Sequence, residues 1–364
     1  MTNAKPPLHG IRVLDIASLY AAPFAATLLG DFGAEVIKIE PPDGDGFRGT
    51  GMWAAVGRGK KSVVLDLRSP EGCETLRQLC RTADIIVQNF PRSVLEKRGI
   101  GWDRLHTMNP KLIMLSVSCF GQTGPYADRP GSGTIGEGFA GLTHLTGRPE
   151  DKPMLASVAL GDAIGAMSAV MGALAALYGR DMGGGGGQEI DASLWEPVLT
   201  AISGALAAWQ PGDSPGRMSG RLGTTGIRNT YRTADGGHVV LSASTPRHLN
   251  DMTELANWDG ADDPDAAVAR WIGGLPQLAV IDALVARRIP VAPVTDLDRL
   301  ISDPHVLARG SVRQGTIGGR RTAYAAPHPR LEGLAAEAPD IDRPLGADTA
   351  EVLGALKETA NVGG

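Results

Sequence analysis

The sequence predicts an α/β fold: a mostly parallel sheet covered by helices on both faces, with a smaller α+β domain after it. Three observations carry that expectation. Short apolar runs alternate with helix-patterned segments through the first half of the chain, the order that builds parallel sheets. The 364 residues exceed what one ordinary core organises, so two domains are expected. A stretch rich in Pro, Gly and Ser, QPGDSPGRMSGRLGTTG at 210–226, reads as a linker between them.

The elements follow in order. The run Ile11–Ile16 (IRVLDI) suits a buried strand. Pro23 comes next, then a helix over 24–30 that stops at Gly33. Glu35–Glu40 is a second strand, ended by Pro41 and Pro42, and Ser62–Leu67 a third. Ser69 as cap and Pro70 in the first turn open a helix that runs to Ala83. Strands at 84–88 and 111–116 complete the pattern, and QEIDASL after Gly183–Gly187 is also strand-like. Ala163–Tyr178 is apolar but counts fewer than the roughly 20 residues a bilayer needs, so it is expected as a buried core helix. Beyond the linker, Thr233–Gly237 is a hairpin turn. The chain closes with strand-like pieces after Gly310 and a helix whose start, Asp348-Thr-Ala-Glu351, has a capping-box pattern.

Composition narrows the function. The formal net charge is −5 and no Lys/Arg block occurs, which disfavours a nucleic-acid partner. Cys73, Cys80 and Cys119 fit no metal spacing and read as buried thiols of a reducing compartment. The N-terminus has no apolar signal segment, so a cytoplasmic location is expected, with no membrane partner. The turn after the first strand, ASLYAAP, lacks the glycines that bring backbone to a dinucleotide pyrophosphate. The Gly183–Gly187 run stands between helix and strand, the reverse of a phosphate loop.

Asp162 is the residue best suited to chemistry. It stands at the head of the apolar helix, where free N–H groups and the helix dipole favour an ionised carboxylate. That describes a helix N-cap and equally an oriented nucleophile, with Gly161 allowing close approach. No GxSxG or HExxH pattern occurs. His144 reads as a loop histidine, and Asp128 and Glu137 flank a glycine-rich loop. Lys38, Lys60, Lys61, Arg68, Arg92, Lys97 and Arg98 lie near strand ends, where ligands of open α/β sheets bind; two or three of them are expected to reach one.

Several stretches, taken in order, resemble the family III CoA-transferases, the group of formyl-CoA transferase, carnitine CoA-transferase and 2-methylacyl-CoA racemase. They are 10–45 (GIRVLDIASLYAAPFAATLLGDFGAEVIKIEPPDGD), 60–72 (KKSVVLDLRSPEG), 84–131, 160–196 (beginning LGDAIGAM), 287–310 and 338–356. The resemblance implies a large Rossmann-like domain built from both chain ends, 1–222 and 312–364, a small domain over 223–311, and an interlaced, obligate homodimer. It implies Asp162 as nucleophile. Leu65, Asp66, Leu67 and Arg68 would lie against coenzyme A, Asn89 and Phe90 beside its adenine, and Lys97 near its phosphates. Tyr20, Ser132, Gly133 and Glu137 would form the substrate and oxyanion loop. Coenzyme A enters as a substrate, with carboxylic acids as its partners, and no permanently bound cofactor or metal is implied. Tyr20 stands where formyl-CoA transferase has a glutamine. NFPRS replaces the usual NFRPG. Racemases carry His-Asp where this chain has Ser132-Gly133, which removes one of the two proton carriers racemisation needs. An acyl-CoA racemase or isomerase, and a CoA-binding protein without catalysis, are the alternatives. Arg217, Arg221 and Arg228 are candidates to pair with a second substrate carboxylate.

Overall fold

Strand β1 (Arg12–Asp15) lies at the centre of a six-stranded parallel sheet. With β2 (Glu35–Glu40), β3 (Lys61–Val64), β4 (Ile85–Gln88), β5 (Ile113–Ser118) and β6 (Glu189–Ser193) the order across the sheet is 3-2-1-4-5-6. Val13 is in register with Val36 on one side and Ile85 on the other. The chain therefore leaves β1 in one direction and returns to its other side at β4. The crevice at the carboxyl ends of these two strands is the place where open α/β sheets bind ligands. The computed structural model describes residues 5–219, 226–259, 263–332 and 338–362.

Alternation along the buried strands sends side chains to two cores. Val13, Ile85, Val87, Ile113 and Leu115 face the Ala21–Asp31 and Leu160–Met182 helices. Leu14, Ile37, Ile86 and Met114 face the Pro70–Cys80 helix and the C-terminal Thr349–Val362 helix. Ser69 caps the Pro70–Cys80 helix as expected, accepting from Gly72 N–H at 3.0 Å, but this helix ends at Cys80 rather than Ala83. Pro23 lies inside the first turn of its helix, where no intrahelical bond is lost. Strand β3 ends at Val64, so Leu65–Leu67 leave the sheet.

Two further expectations are corrected. The Leu160–Met182 helix has 23 residues, enough by length and composition to cross a membrane, rather than falling short of that. It packs Ala166, Ala169, Ala173 and Ala176 onto the sheet, while Met167, Met171, Tyr178 and Met182 on its other face are exposed. The capping box at 348–351 does not form as read. Asp348 accepts instead from Ser62 N–H at 2.8 Å and pairs with Arg343, and Glu351 pairs with Lys61 at 2.8 Å.

The chain divides into two compact units. One takes 1–141, 156–202 and 309–364, and includes the antiparallel pair β10 (Val312–Ile317) and β11 (Arg320–Ala325), which come after the other unit in sequence. The other takes 142–155 and 203–308. It holds the antiparallel sheet β7 (Ile227–Arg232), β8 (His238–Ala243) and β9 (Val291–Pro293), with the expected hairpin at Thr233–Gly237. Its own core is built on Val239, Leu241, Met252, Ile272 and Leu284.

Candidate active site

The loop after β1 is fixed from below by buried charges. Lys38 donates to Ala17 O at 2.6 Å, and Ala17 N–H donates to Asp15 Oδ1 at 3.1 Å. Lys60 donates to Asp15 Oδ2 and to Pro23 O, both at 2.7 Å. Burial works against ionisation of Asp15, yet the charges of Lys38 and Lys60 hold its carboxyl below the ordinary value. Burial pushes the Lys60 ammonium down to about 8. Neither lysine is placed to meet a phosphate, so neither is one of the two or three strand-end bases expected to reach one: both are almost wholly buried in this cluster. Their effect is to hold the segment Ala17–Tyr20, in which Leu19 keeps a left-handed φ of 65°. On the other side of the crevice, Asn89 closes the loop to β4: Ser18 N–H donates to Asn89 Oδ1 at 3.0 Å and Asn89 Nδ2 donates to Ser18 O at 2.8 Å.

Asp162 is the third residue of its helix, not the cap; Ala159 holds that position and makes no side-chain cap bond. The carboxylate turns to a neighbouring helix instead. Gly133 N–H, the first of the Gly133–Phe139 helix, donates to Asp162 Oδ1 at 3.2 Å. The segment read as a glycine-rich loop is thus largely helical. Its two glycine contacts leave no space. A Cβ on Gly133 would lie 2.3 Å from Asp162 N and Oδ2, and one on Gly161 would lie 2.5 Å from Gly133 O. The Ser132-Gly133 pair therefore suits this backbone, because a side chain at 133 would overlap the reactive carboxylate.

Glu137 is 1% exposed, and its Oε1 accepts from Gly161 N–H at 2.9 Å. Burial is the largest influence on Asp162 and raises its carboxyl above the ordinary 3.8; the Gly133 N–H opposes that and the Glu137 charge adds to it. Burial and then the Asp162 charge raise the Tyr20 phenol, so Tyr20 is a neutral donor that feels the carboxylate. Ser132 is exposed, and its carbonyl accepts from Cys119 Sγ at 3.4 Å. Asp162, Gly133, Glu137 and Tyr20 are thereby linked, and the segment Tyr20–Leu19–Ser18 runs from this cluster to Asn89. No local pattern signals the Gly133 contact, which joins residues 29 apart; the resemblance alone brought Gly133 to the expected site.

The remaining expected positions are spread along the other strand ends. Leu65 and Leu67 are buried, and Asp66 is bound by Arg68, Nε to Oδ1 at 2.8 Å, on the surface. Phe90 lies under the Arg98 guanidinium, 5.6 Å from the ring centroid. Lys97 is exposed. Lys61 pairs with Glu35 and Glu351, and Arg92 with Glu189. Of the seven bases, Lys97 and Arg98 form no ion pair among the described residues. His144 lies in the short Leu142–Leu145 helix rather than a loop. Arg217 donates to the carbonyls of His144, Arg148 and Pro149, and Arg228 to Ser242 and Ser244, so these two are engaged internally. Arg221 lies outside the described residues.

Residues 8–349 match the model of CoA-transferase family III. The succinyl-CoA–D-citramalate CoA-transferase of Chloroflexus aurantiacus is 35% identical over 86% of this chain and 85% of its own. The succinate–glutarate CoA-transferase of Agrobacterium fabrum is 33% identical over 91% and 94%. The crystal structure of a CAIB/BAIF family protein from Brucella suis superposes with a TM-score of 0.84 at 26% identity, covering 97% of this chain and 100% of that one. The chain therefore belongs to CoA-transferase family III, enzymes that move coenzyme A from one carboxylic acid to another.

Proposed function

We propose that this enzyme exchanges coenzyme A between two acids by covalent catalysis on Asp162. The observation that carries the reading is the placement of that carboxylate: in the first turn of a long helix, held by Gly133 N–H, between two glycines that admit no side chain. The Asp162 carboxylate attacks the thioester carbonyl of the donor. The C–S bond breaks, and a mixed anhydride and CoA thiolate form. The thiolate attacks the aspartyl carbonyl, which frees the donor acid and leaves an aspartyl-CoA thioester. The acceptor carboxylate attacks that thioester, giving a second anhydride and thiolate. The thiolate then takes the acceptor acyl group and Asp162 returns as carboxylate. No proton is consumed, and each step exchanges one acyl bond for another. Tyr20 O–H and the free N–H groups in the first turn of the Gly133–Phe139 helix are the donors for the oxyanions.

Coenzyme A is read as lying along the crevice, with its adenine beside Asn89 and Phe90, its phosphates toward Lys97, and Leu65–Arg68 along its length. The relatives named above act on succinyl-CoA or succinate, which supports a dicarboxylic acyl group for this chain. A second copy of the chain is the partner we assign to the exposed stripe Met167, Met171, Tyr178 and Met182. Four large apolar side chains at helical spacing are better covered than left in water. The buried, unpaired thiols of Cys73, Cys80 and Cys119 suit the reducing cytoplasm.

Steady-state transfer from succinyl-CoA to a panel of carboxylic acids tests the reading. Asp162→Asn keeps the size of the side chain and removes the nucleophile. Its turnover is expected to fall by at least about a thousandfold, in line with the loss of a covalent nucleophile. Turnover near the wild-type rate would refute it.

A further inference from the structure

We propose that Gln88, Ser116, Glu189 and Arg92 form a positioning ring that sets the turn at 89–92 and, through it, the affinity for the adenosine half of coenzyme A. The inference rests on the reading that this turn meets the nucleotide. Gln88 and Ser116 are paired residues near the carboxyl ends of β4 and β5, 1% and 0% exposed. Their neighbours Val87 and Leu115 are apolar, and two polar side chains buried here cost free energy unless fully bonded. They are. Gln88 Oε1 accepts from Phe90 N–H at 2.6 Å, and Gln88 Nε2 donates to Ser116 Oγ at 2.8 Å. Ser116 Oγ donates to Glu189 Oε1 at 3.2 Å, and Glu189 Oε2 accepts from Arg92 at 2.7 Å.

The bonds converge on Glu189, which accepts from Ser116 on one side and from Arg92 on the other. The amide oxygen of Gln88 must face the Phe90 N–H, so its nitrogen must face Ser116, whose single proton is then left for Glu189. The ring starts at Phe90 and ends at Arg92, so both sides of the same turn are tied to the rigid sheet. Pro91 is the N-cap of the Arg92–Lys97 helix and has no N–H of its own to fix the turn. The Pro-Arg order of this chain places the guanidinium where Glu189 can hold it. None of the four residues is assigned to touch the thioester.

Binding of coenzyme A and of pantetheine, which lacks the adenosine diphosphate portion, is to be measured by calorimetry on the wild type, Gln88→Leu and Glu189→Gln. Breaking the ring leaves a buried donor unpaired, and the expected result is about tenfold weaker binding of coenzyme A by Gln88→Leu. Glu189→Gln, which keeps the shape and removes the charge, should show a smaller loss of the same kind. Pantetheine should bind all three alike. Equal weakening of both ligands, or no weakening of coenzyme A in either variant, overturns the ring as a positioning device. A wild type that binds coenzyme A no more tightly than pantetheine would instead remove the nucleotide reading itself, and the ring's role with it.

Discussion

A methyl group at position 133 would sit 2.3 Å from the amide nitrogen and a carboxylate oxygen of Asp162, and a backbone nitrogen cannot swing aside as a side-chain tip can. Gly133→Ala is therefore expected to cost about 1–3 kcal/mol of stability, the usual range for overpacking. Turnover should also drop, because relief of the clash moves the nucleophile; a denaturant melt and a rate assay check both. The Asp162 carboxyl is raised, first by burial and in part by Glu137, so its ionised, nucleophilic form is lost at a higher pH than for an ordinary carboxylate. Glu137→Gln removes the like charge while keeping an acceptor for Gly161 N–H. It should shift the acidic limb of the pH–rate profile to lower pH; a shift to higher pH would contradict the assignment. The same raised value has a stability sign. Below 3.8 the carboxyl is neutral in folded and unfolded chains alike, and as pH rises through the folded value its ionisation costs stability. Asp162→Asn should thus melt higher than the wild type near neutral pH and equal it in acid.

At the scale of elements, β3 is an edge strand whose outward N–H groups are satisfied by the chain's last helix. Ser62 N–H donates to Asp348 at 2.8 Å and Val64 N–H to Thr349 Oγ1 at 3.0 Å. This closes an edge that would otherwise offer itself to another strand. Arg343, the strongest influence, holds the Asp348 carboxyl below its ordinary value, with the Ser62 N–H assisting. Asp348→Ala should destabilise the fold by about 1–3 kcal/mol at neutral pH, the cost of an unpaired buried donor. A depressed carboxyl contributes stability that is present above 3.8 and lost as pH falls through its folded value, so the difference should shrink in acid. Thermal melts at several pH values decide this. These bonds also explain what sequence reading misses here. The DTAE pattern is a sound local signal for a capping box, but Asp348 and Glu351 find long-range partners on β3 that no local pattern contains. The strands were legible because Val, Ile and Leu runs bounded by Pro and Gly have few other fates. Helix ends were less so: Pro23 lies two residues past the first helical position and Asp162 three past the cap, since both residue types are tolerated throughout the first turn.

For the whole molecule, the parallel sheet and the hairpin of the smaller unit could be read from periodicity, and the family from the joint order of six segments. The site could be read only in part. Asp162 stood out by its position before an apolar run, whereas Gly133 and Tyr20 entered through the resemblance alone and converge on it, with Glu137, through tertiary contacts. Lys38 and Lys60 show what sequence cannot sort: charged residues at strand ends resemble ligand contacts until burial pairs them with Asp15. The apolar stripe on the Leu160–Met182 helix leads to a prediction about assembly. Met171, 68% exposed, should be covered by a second copy, and Met171→Glu should shift the sedimentation behaviour from dimer toward monomer or aggregate. An unchanged dimer would place the interface elsewhere.

The central claim is that Asp162 becomes covalently attached during turnover, and mass spectrometry of the trapped enzyme tests it most directly. The protein is incubated with succinyl-CoA, quenched with hydroxylamine or borohydride, and digested. The account predicts a hydroxamate or a reduced side chain at Asp162, dependent on the acyl-CoA and missing from Asp162→Asn. An unmodified Asp162 in enzyme that is turning over, or the same adduct on another carboxylate, would contradict it.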